Sequence, residues 1–131
     1  MERIMSNIIG LGLDATDIDR IADTIERYGD RFLRRIFSDG EIAYCTKRRV
    51  PAIHFAGRFA AKEAAMKALG TGWSRGVRWV DIEVVRLPGG RPTLELKGEA
   101  QEIAIRQGVK HIAISITHTP KQAWAQVIFE S

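Results

Sequence analysis

The spacing of hydrophobic residues divides this chain into segments of two periods, one suited to strands and one to helices. From Asn7 to Asp14 the pattern predicts a buried strand, with Ile9, Leu11 and Leu13 on one face. Its other face carries Ile8, Gly10, Gly12 and Asp14. Two glycines leave that face without side-chain bulk just before a carboxylate, so either a helix or a ligand must approach the backbone there. Thr16 is placed to cap a helix over Asp17 to Tyr28, which Gly29 closes. Ser38 and Glu41 have capping-box spacing and open a short helix through Cys45. Pro51 suits the first turn of a long helix that stops at Gly70. A hairpin follows, Asp81 to Leu87 and Thr93 to Lys97, turning at Pro88-Gly89-Gly90. A helix from Glu99 to Gln107 halts at Gly108, and strands over Ile112 to Thr117 and Trp124 to Phe129 are joined by His118 to Gln122. Helices dominate the first half and strands the second. The prediction is an α+β fold, an antiparallel sheet packed with one long helix and several shorter ones.

The length of 131 residues fits one domain spanning 1–131, and no linker or repeat divides it. Hydrophobic residues at 45% and charged residues at 27% are those of a folded globular chain. The formal net charge of +4 makes anionic partners the ones to look for: a nucleotide, nucleic acid, a membrane surface or an acidic protein. A single cysteine, Cys45, excludes an internal disulfide and any multi-cysteine metal site, and its helical setting makes it a packing residue. No apolar run is long enough to span a bilayer, and the apolar stretch within Met1 to Asn7 is too short for a signal peptide. The expectation is a cytoplasmic protein without membrane insertion.

The chemistry gathers on the long helix, in Gly57-Arg-Phe-Ala-Ala-Lys-Glu-Ala-Ala-Met-Lys67. Phe55, Phe59, Glu63 and Met66 fall on one face, which sets a carboxylate in an apolar stripe. Arg58 and Lys62 line an adjoining face, where an anion held between them would relieve their repulsion. The residues alone also admit a plainer reading, a solvated basic flank with Glu63 paired to Lys67. Gly10-Leu-Gly-Leu-Asp14 lacks the third glycine of a dinucleotide fingerprint, and Asp14 by itself reads as a turn or cap. His118, in Ser115-Ile-Thr-His-Thr119, offers donors for phosphate oxygens, but a hydrogen-bonded turn histidine has the same signature. Zinc-site spacings, a nucleophile elbow and a P-loop are all missing from the sequence.

Taken in order, these stretches resemble the holo-[acyl-carrier-protein] synthase family of 4′-phosphopantetheinyl transferases. The matching segments are Gly10-Leu-Gly-Leu-Asp14 with Asp17-Ile-Asp-Arg-Ile21, Phe55-Ala-Gly-Arg-Phe-Ala-Ala-Lys-Glu-Ala64, and Lys67-Ala-Leu-Gly-Thr-Gly72. Asp81-Ile-Glu83, Gly90-Arg-Pro92 and Ser115 to Thr119 complete them, so the resemblance runs from about Ile8 to the end. Met1 to Asn7 form an N-terminal extension, Ala15 replaces a bulkier residue, and Met66 stands where small polar residues also occur.

The resemblance implies transfer of 4′-phosphopantetheine from coenzyme A to a serine of apo-acyl carrier protein, releasing adenosine 3′,5′-bisphosphate. It implies Mg²⁺ held by Asp14 and Glu63, with Lys62 beside them as a third catalytic residue. Arg58, Lys62, Lys67, His118 and Thr119 would contact coenzyme A. Arg20, Arg27 and Arg31 would meet an acidic carrier protein, and homotrimers would hold their active sites between protomers. It names no protein general base. The rival from another class is a basic nucleic-acid-binding module, drawing on Arg31, Arg34, Arg35 and Lys47, Arg48, Arg49. Its aromatic support is thin, it leaves Asp14 and Glu63 without a task, and the expectation is no nucleic-acid partner.

Overall fold

Eleven short elements follow one another in a computed structural model that describes residues 7–131. Residues 1–6, and with them most of the expected N-terminal extension, lie outside the described residues. Strand β1 (Ile8–Asp17) leads into helices α1 (Ile18–Tyr28), α2 (Asp30–Ile36), α3 (Asp39–Thr46) and α4 (Pro51–Leu69). A 3₁₀ turn (Trp79–Asp81) precedes the hairpin β2 (Ile82–Arg86) and β3 (Pro92–Leu96). Helix α5 (Gly98–Gln107) and strands β4 (His111–His118) and β5 (Gln122–Glu130) complete the chain. The predicted α+β class holds. β1, β5 and β4 form an antiparallel sheet with β5 in the centre, and β2 and β3 form a separate ribbon.

Helix α4 lies across this sheet and organises the core. Ala60, Ala61, Ala64, Ala65 and Ala68 are buried against Ala125, Val127 and Phe129 of β5. Against β1 the approach is closer still. A Cβ on Gly12 would sit 1.8 Å from the carbonyl oxygen of Ala64, and one on Gly10 2.0 Å from that of Ala68. The bare face of β1 therefore accommodates a helix. A second cluster packs Ile18, Ile21, Leu33, Ile36, Phe37 and Cys45 of the helical half against Phe55 and Ala56 at the start of α4.

Several expectations need correction. Leu11 and Leu13 are not buried: about half of each side chain is exposed, and the glycine face of β1 turns inward instead. The strand runs on to Asp17 because pairing with β5 continues to Asp17–Gln122. Asp17, not Thr16, therefore caps α1, accepting hydrogen bonds from the backbone N–H groups of Asp19 (3.1 Å) and Arg20 (3.4 Å). Helix α2 was not anticipated, because Gly29 ends α1 and also stands immediately before the next helix. The capping box at Ser38 and Glu41, the proline start of α4 and its left-handed cap at Gly70 (φ 77°) are as expected.

The α4–β1 contact gives a direct test. Gly12→Ala should destabilise the protein by roughly 1–3 kcal/mol or more, because backbone blocks the new methyl and cannot yield cheaply. Gly57→Ala should cost less, since the nearest obstacle, at 2.9 Å, is the γ2 methyl of Ile116, a side-chain atom rather than backbone. Urea unfolding of the two variants checks the order, and equal costs would contradict this packing.

Candidate active site

Because α4 rides so close to β1, residues near the end of that strand meet the middle of the helix. Lys67 donates to Asp14 Oδ1 at 2.6 Å and to the carbonyl of Leu13 at 3.1 Å. Glu63, one turn earlier on α4, is half-buried and hydrogen-bonded to the Asp14 carboxyl. Burial first, then that hydrogen bond and the charge of Asp14, push Glu63 up to about 7, against the pull of Lys67. Two hard oxygen donors thus stand together, with Glu63 held partly protonated by its burial first and by its neighbour second. Among the described residues no three His, Cys, Asp or Glu side chains converge as a ready-made metal cage. The lysine of the expected Glu63–Lys67 surface pair is bonded to Asp14 instead.

A second feature lies on another side of α4. A cavity of about 310 Å³ opens between α3, α4, the β2–β3 hairpin and the sheet, and Tyr44, His54, Arg58, Arg86 and His118 are among its lining residues. The guanidiniums of Arg48 and Arg58 each lie 4.2 Å from the centre of the Tyr44 ring, and that of Arg86 lies 5.1 Å away. Arg86 also donates to the Tyr44 hydroxyl at 2.9 Å. Burial lowers the pKa of His54 from its ordinary value, with the surrounding Arg58, Arg48, His118 and Arg86 acting in the same direction. Among the described residues, no carboxylate lines the cavity. Arg58 is 5% exposed, yet its Nε has no hydrogen-bond partner among the described residues. A buried donor left unmatched costs about 1–3 kcal/mol, and an anion in the cavity would remove that cost.

Register ties the two features together. Asp14 lies opposite Ala125 on β5, and His118 lies opposite Ala123, so both belong to the helix-facing side of the sheet. Arg58 and Glu63 are five residues apart on α4, about 7–8 Å along its axis at 1.5 Å per residue.

Not every expected residue joins them. Lys62 is fully buried on a different side of α4, where its ammonium meets Glu41 Oε1 at 2.8 Å and the carbonyls of Trp79 (3.1 Å) and Ile82 (2.5 Å). All three donors are used, which leaves none for a phosphate. The Thr119 hydroxyl closes the β4–β5 turn, accepting from the N–H groups of Lys121 (3.2 Å) and Gln122 (3.0 Å). Cys45 is buried, and burial pushes its thiol up to about 12, as befits packing rather than nucleophilic attack. Arg20 and Arg27 flank an exposed depression on α1 that also holds Asp23 and Glu26, and Arg31 is exposed on α2. Tyr44, His54 and Arg86 were missed. The available signal was His54 one helical turn before Arg58.

A family model described as the 4′-phosphopantetheinyl transferase superfamily matches residues 10–127. A holo-[acyl-carrier-protein] synthase of Solibacter usitatus is 53% identical over 124 residues, covering 95% of this chain and 99% of its own. One from Koribacter versatilis is 50% identical over 94% of this chain and 98% of its own. Among solved structures, the synthase from Neisseria meningitidis superposes with a TM-score of 0.86 at 28% identity, covering 95% of this chain and 99% of that one. The Helicobacter pylori synthase in complex with coenzyme A gives 0.81 at 30% identity, covering 92% and 99%.

The raised pKa of Glu63 carries a sign. The metal-free fold favours the protonated carboxyl, so this stabilisation is full below the ordinary carboxylate range and is lost as pH rises through about 7. In chelator, the melting temperature of the protein should therefore carry a downward component between pH 5 and 8, a window set by that pKa. Glu63→Gln should remove this component. Identical pH profiles for the two proteins would contradict the geometry of the pair.

Proposed function

The chain belongs to the holo-[acyl-carrier-protein] synthase family within the 4′-phosphopantetheinyl transferase superfamily, and on that premise we propose that it transfers 4′-phosphopantetheine from coenzyme A to a serine of apo-acyl carrier protein. The observation that carries this reading is the pairing, along one helix, of two adjacent carboxylates with a cationic cavity that contains no carboxylate. A molecule with a pyrophosphate and a separate phosphate, as coenzyme A has, suits both.

Asp14 and Glu63 are the residues that would hold Mg²⁺. They fit it on their own chemistry, since they offer hard oxygens and a mutual repulsion that a dication relieves better than a proton. Bound there, the ion supplies positive charge against the pyrophosphate. Lys67, bonded to Asp14 and to the Leu13 carbonyl, keeps a third N–H for the phosphate oxygens. Arg58, Arg86 and His118 take the 3′-phosphate, and the unmatched Nε of Arg58 gains an acceptor. In the transfer, the carrier serine Oγ forms a bond to the β-phosphorus as the pyrophosphate bridge breaks. The serine proton passes to solvent water, and adenosine 3′,5′-bisphosphate leaves with the bridging oxygen. Lys62 and Thr119 have no part in these contacts.

The exposed arginines Arg20 and Arg27 of α1, with Arg31 of α2, are the surface for the acidic carrier. Copies of the chain meet, in this reading, through the outer face of the sheet. Leu11 and Leu13 are each more than half exposed there, and Trp124 is 37% exposed. A homotrimer would bury that face. The described residues include no helix long and apolar enough to cross a membrane.

Two experiments test the assignment. Chelation should abolish transfer and Mg²⁺ restore it, while Asp14→Ala and Glu63→Ala remain inactive although folded; full activity in excess chelator would refute the metal site. Coenzyme A lacking its 3′-phosphate should show a KM higher by about tenfold or more, the scale of one charge-assisted contact. The gap should shrink in Arg58→Met. Equal KM values for the two substrates in the unmodified enzyme would refute the cavity assignment.

A further inference from the structure

The Lys62–Glu41 pair is the most deeply buried charge in the described residues, with both side chains at 0% exposure. It touches neither the carboxylates nor the cavity. Glu41 accepts from Lys62 and from the Ser38 N–H (2.9 Å) through Oε1, and from the Val84 N–H (2.8 Å) through Oε2. Lys62 adds the carbonyls of Trp79 and Ile82. One pair thus bolts together α3, α4, the 3₁₀ turn and β2. A pair of apolar side chains of similar volume would stabilise the fold about as well, but it would not fix how far each element is advanced along its own axis. Directional bonds do.

The positions that are fixed matter for the cavity. Tyr44 follows Glu41 by three residues on α3, and Arg58 precedes Lys62 by four on α4, so each shares a helix face with its node residue. Arg86 follows Val84 by two on β2 and shares its strand face. Three of the four elements that the node joins, α3, α4 and β2, therefore each carry a cavity residue one step from a node contact. We infer that Glu41 and Lys62 are positioning residues for the 3′-phosphate of coenzyme A, setting the spacing of Tyr44, Arg58 and Arg86 through the backbone that carries them. This rests on the assignment of the cavity to coenzyme A made above.

The test compares coenzyme A with its 3′-dephospho form in Glu41→Gln and in the double variant Glu41→Gln with Lys62→Met. The double variant removes the uncompensated charge that could unfold the single one, and so carries the test if Glu41→Gln does not fold. The KM for coenzyme A should rise by about tenfold, the scale of one charge-assisted contact. The KM for the dephospho form should stay unchanged, as should kcat at saturating substrate, with melting temperatures reporting fold separately. A purely structural pair would instead lower activity equally on both substrates, or lower kcat with KM unchanged, and either result overturns the inference. Failure of the unmodified enzyme to distinguish the two substrates would instead locate the error in the cavity assignment and remove this inference with it.

Discussion

Two glycine residues on β1 and a run of alanines on α4 let a helix backbone press directly onto a strand, and the rest of the molecule is arranged around that contact. Ordinary side chains at Gly10 and Gly12 would lie within 2.0 Å of helix carbonyl oxygens, so α4 could not occupy its present height above the sheet. At that height Lys67 reaches Asp14 and Leu13, and Glu63 reaches Asp14. The carboxylate pair is thus a consequence of backbone packing as much as of the residues that compose it. The same inward turn of the glycine face leaves Leu11 and Leu13 on the outer face of the sheet, which is why the isolated chain exposes apolar surface.

Charge in the interior is handled in two ways. Lys62 and Glu41 satisfy one another and the backbone around them, and nothing remains over for a ligand. Arg58 and Glu63 are left with unfinished business: one has an unmatched buried donor, and the other is held partly protonated beside Asp14. Buried groups that the fold does not satisfy are where a ligand gains most, and here they flank α4 as a cationic and an anionic site. In the proposed reading, coenzyme A together with a cation held by the carboxylates would match both.

How much could be read from the sequence follows from how local each signal is. Caps and breakers act within a few residues, so Ser38 with Glu41, Pro51, Gly70 and Gly108 set their helix ends as predicted. Gly29 serves two helices at once, and α2 was lost for that reason. The period of β1 separated its two faces from Gly10 to Asp14, but a bulge between Ile8 and Gly10 turns Ile9 toward the core and leaves Ile8 exposed. Nor could the period say which face would turn inward, because that depends on the helix laid over it. The partners that engage Lys62, namely Glu41, Trp79 and Ile82, come from other elements and carry no local mark. Asp14 and Glu63 came together only through the resemblance to a family. Tyr44 and Arg86 join Arg58 only in the folded chain, so neither periodicity nor spacing could single them out.

The central claim is that these two oppositely charged sites act on one substrate. The most direct measurement incubates the protein with coenzyme A, Mg²⁺ and an apo-acyl carrier protein, and follows the carrier by intact mass. The account predicts a single gain equal to one 4′-phosphopantetheine group on the carrier, with adenosine 3′,5′-bisphosphate released in equal amount. A carrier that keeps its mass while coenzyme A remains intact would contradict it.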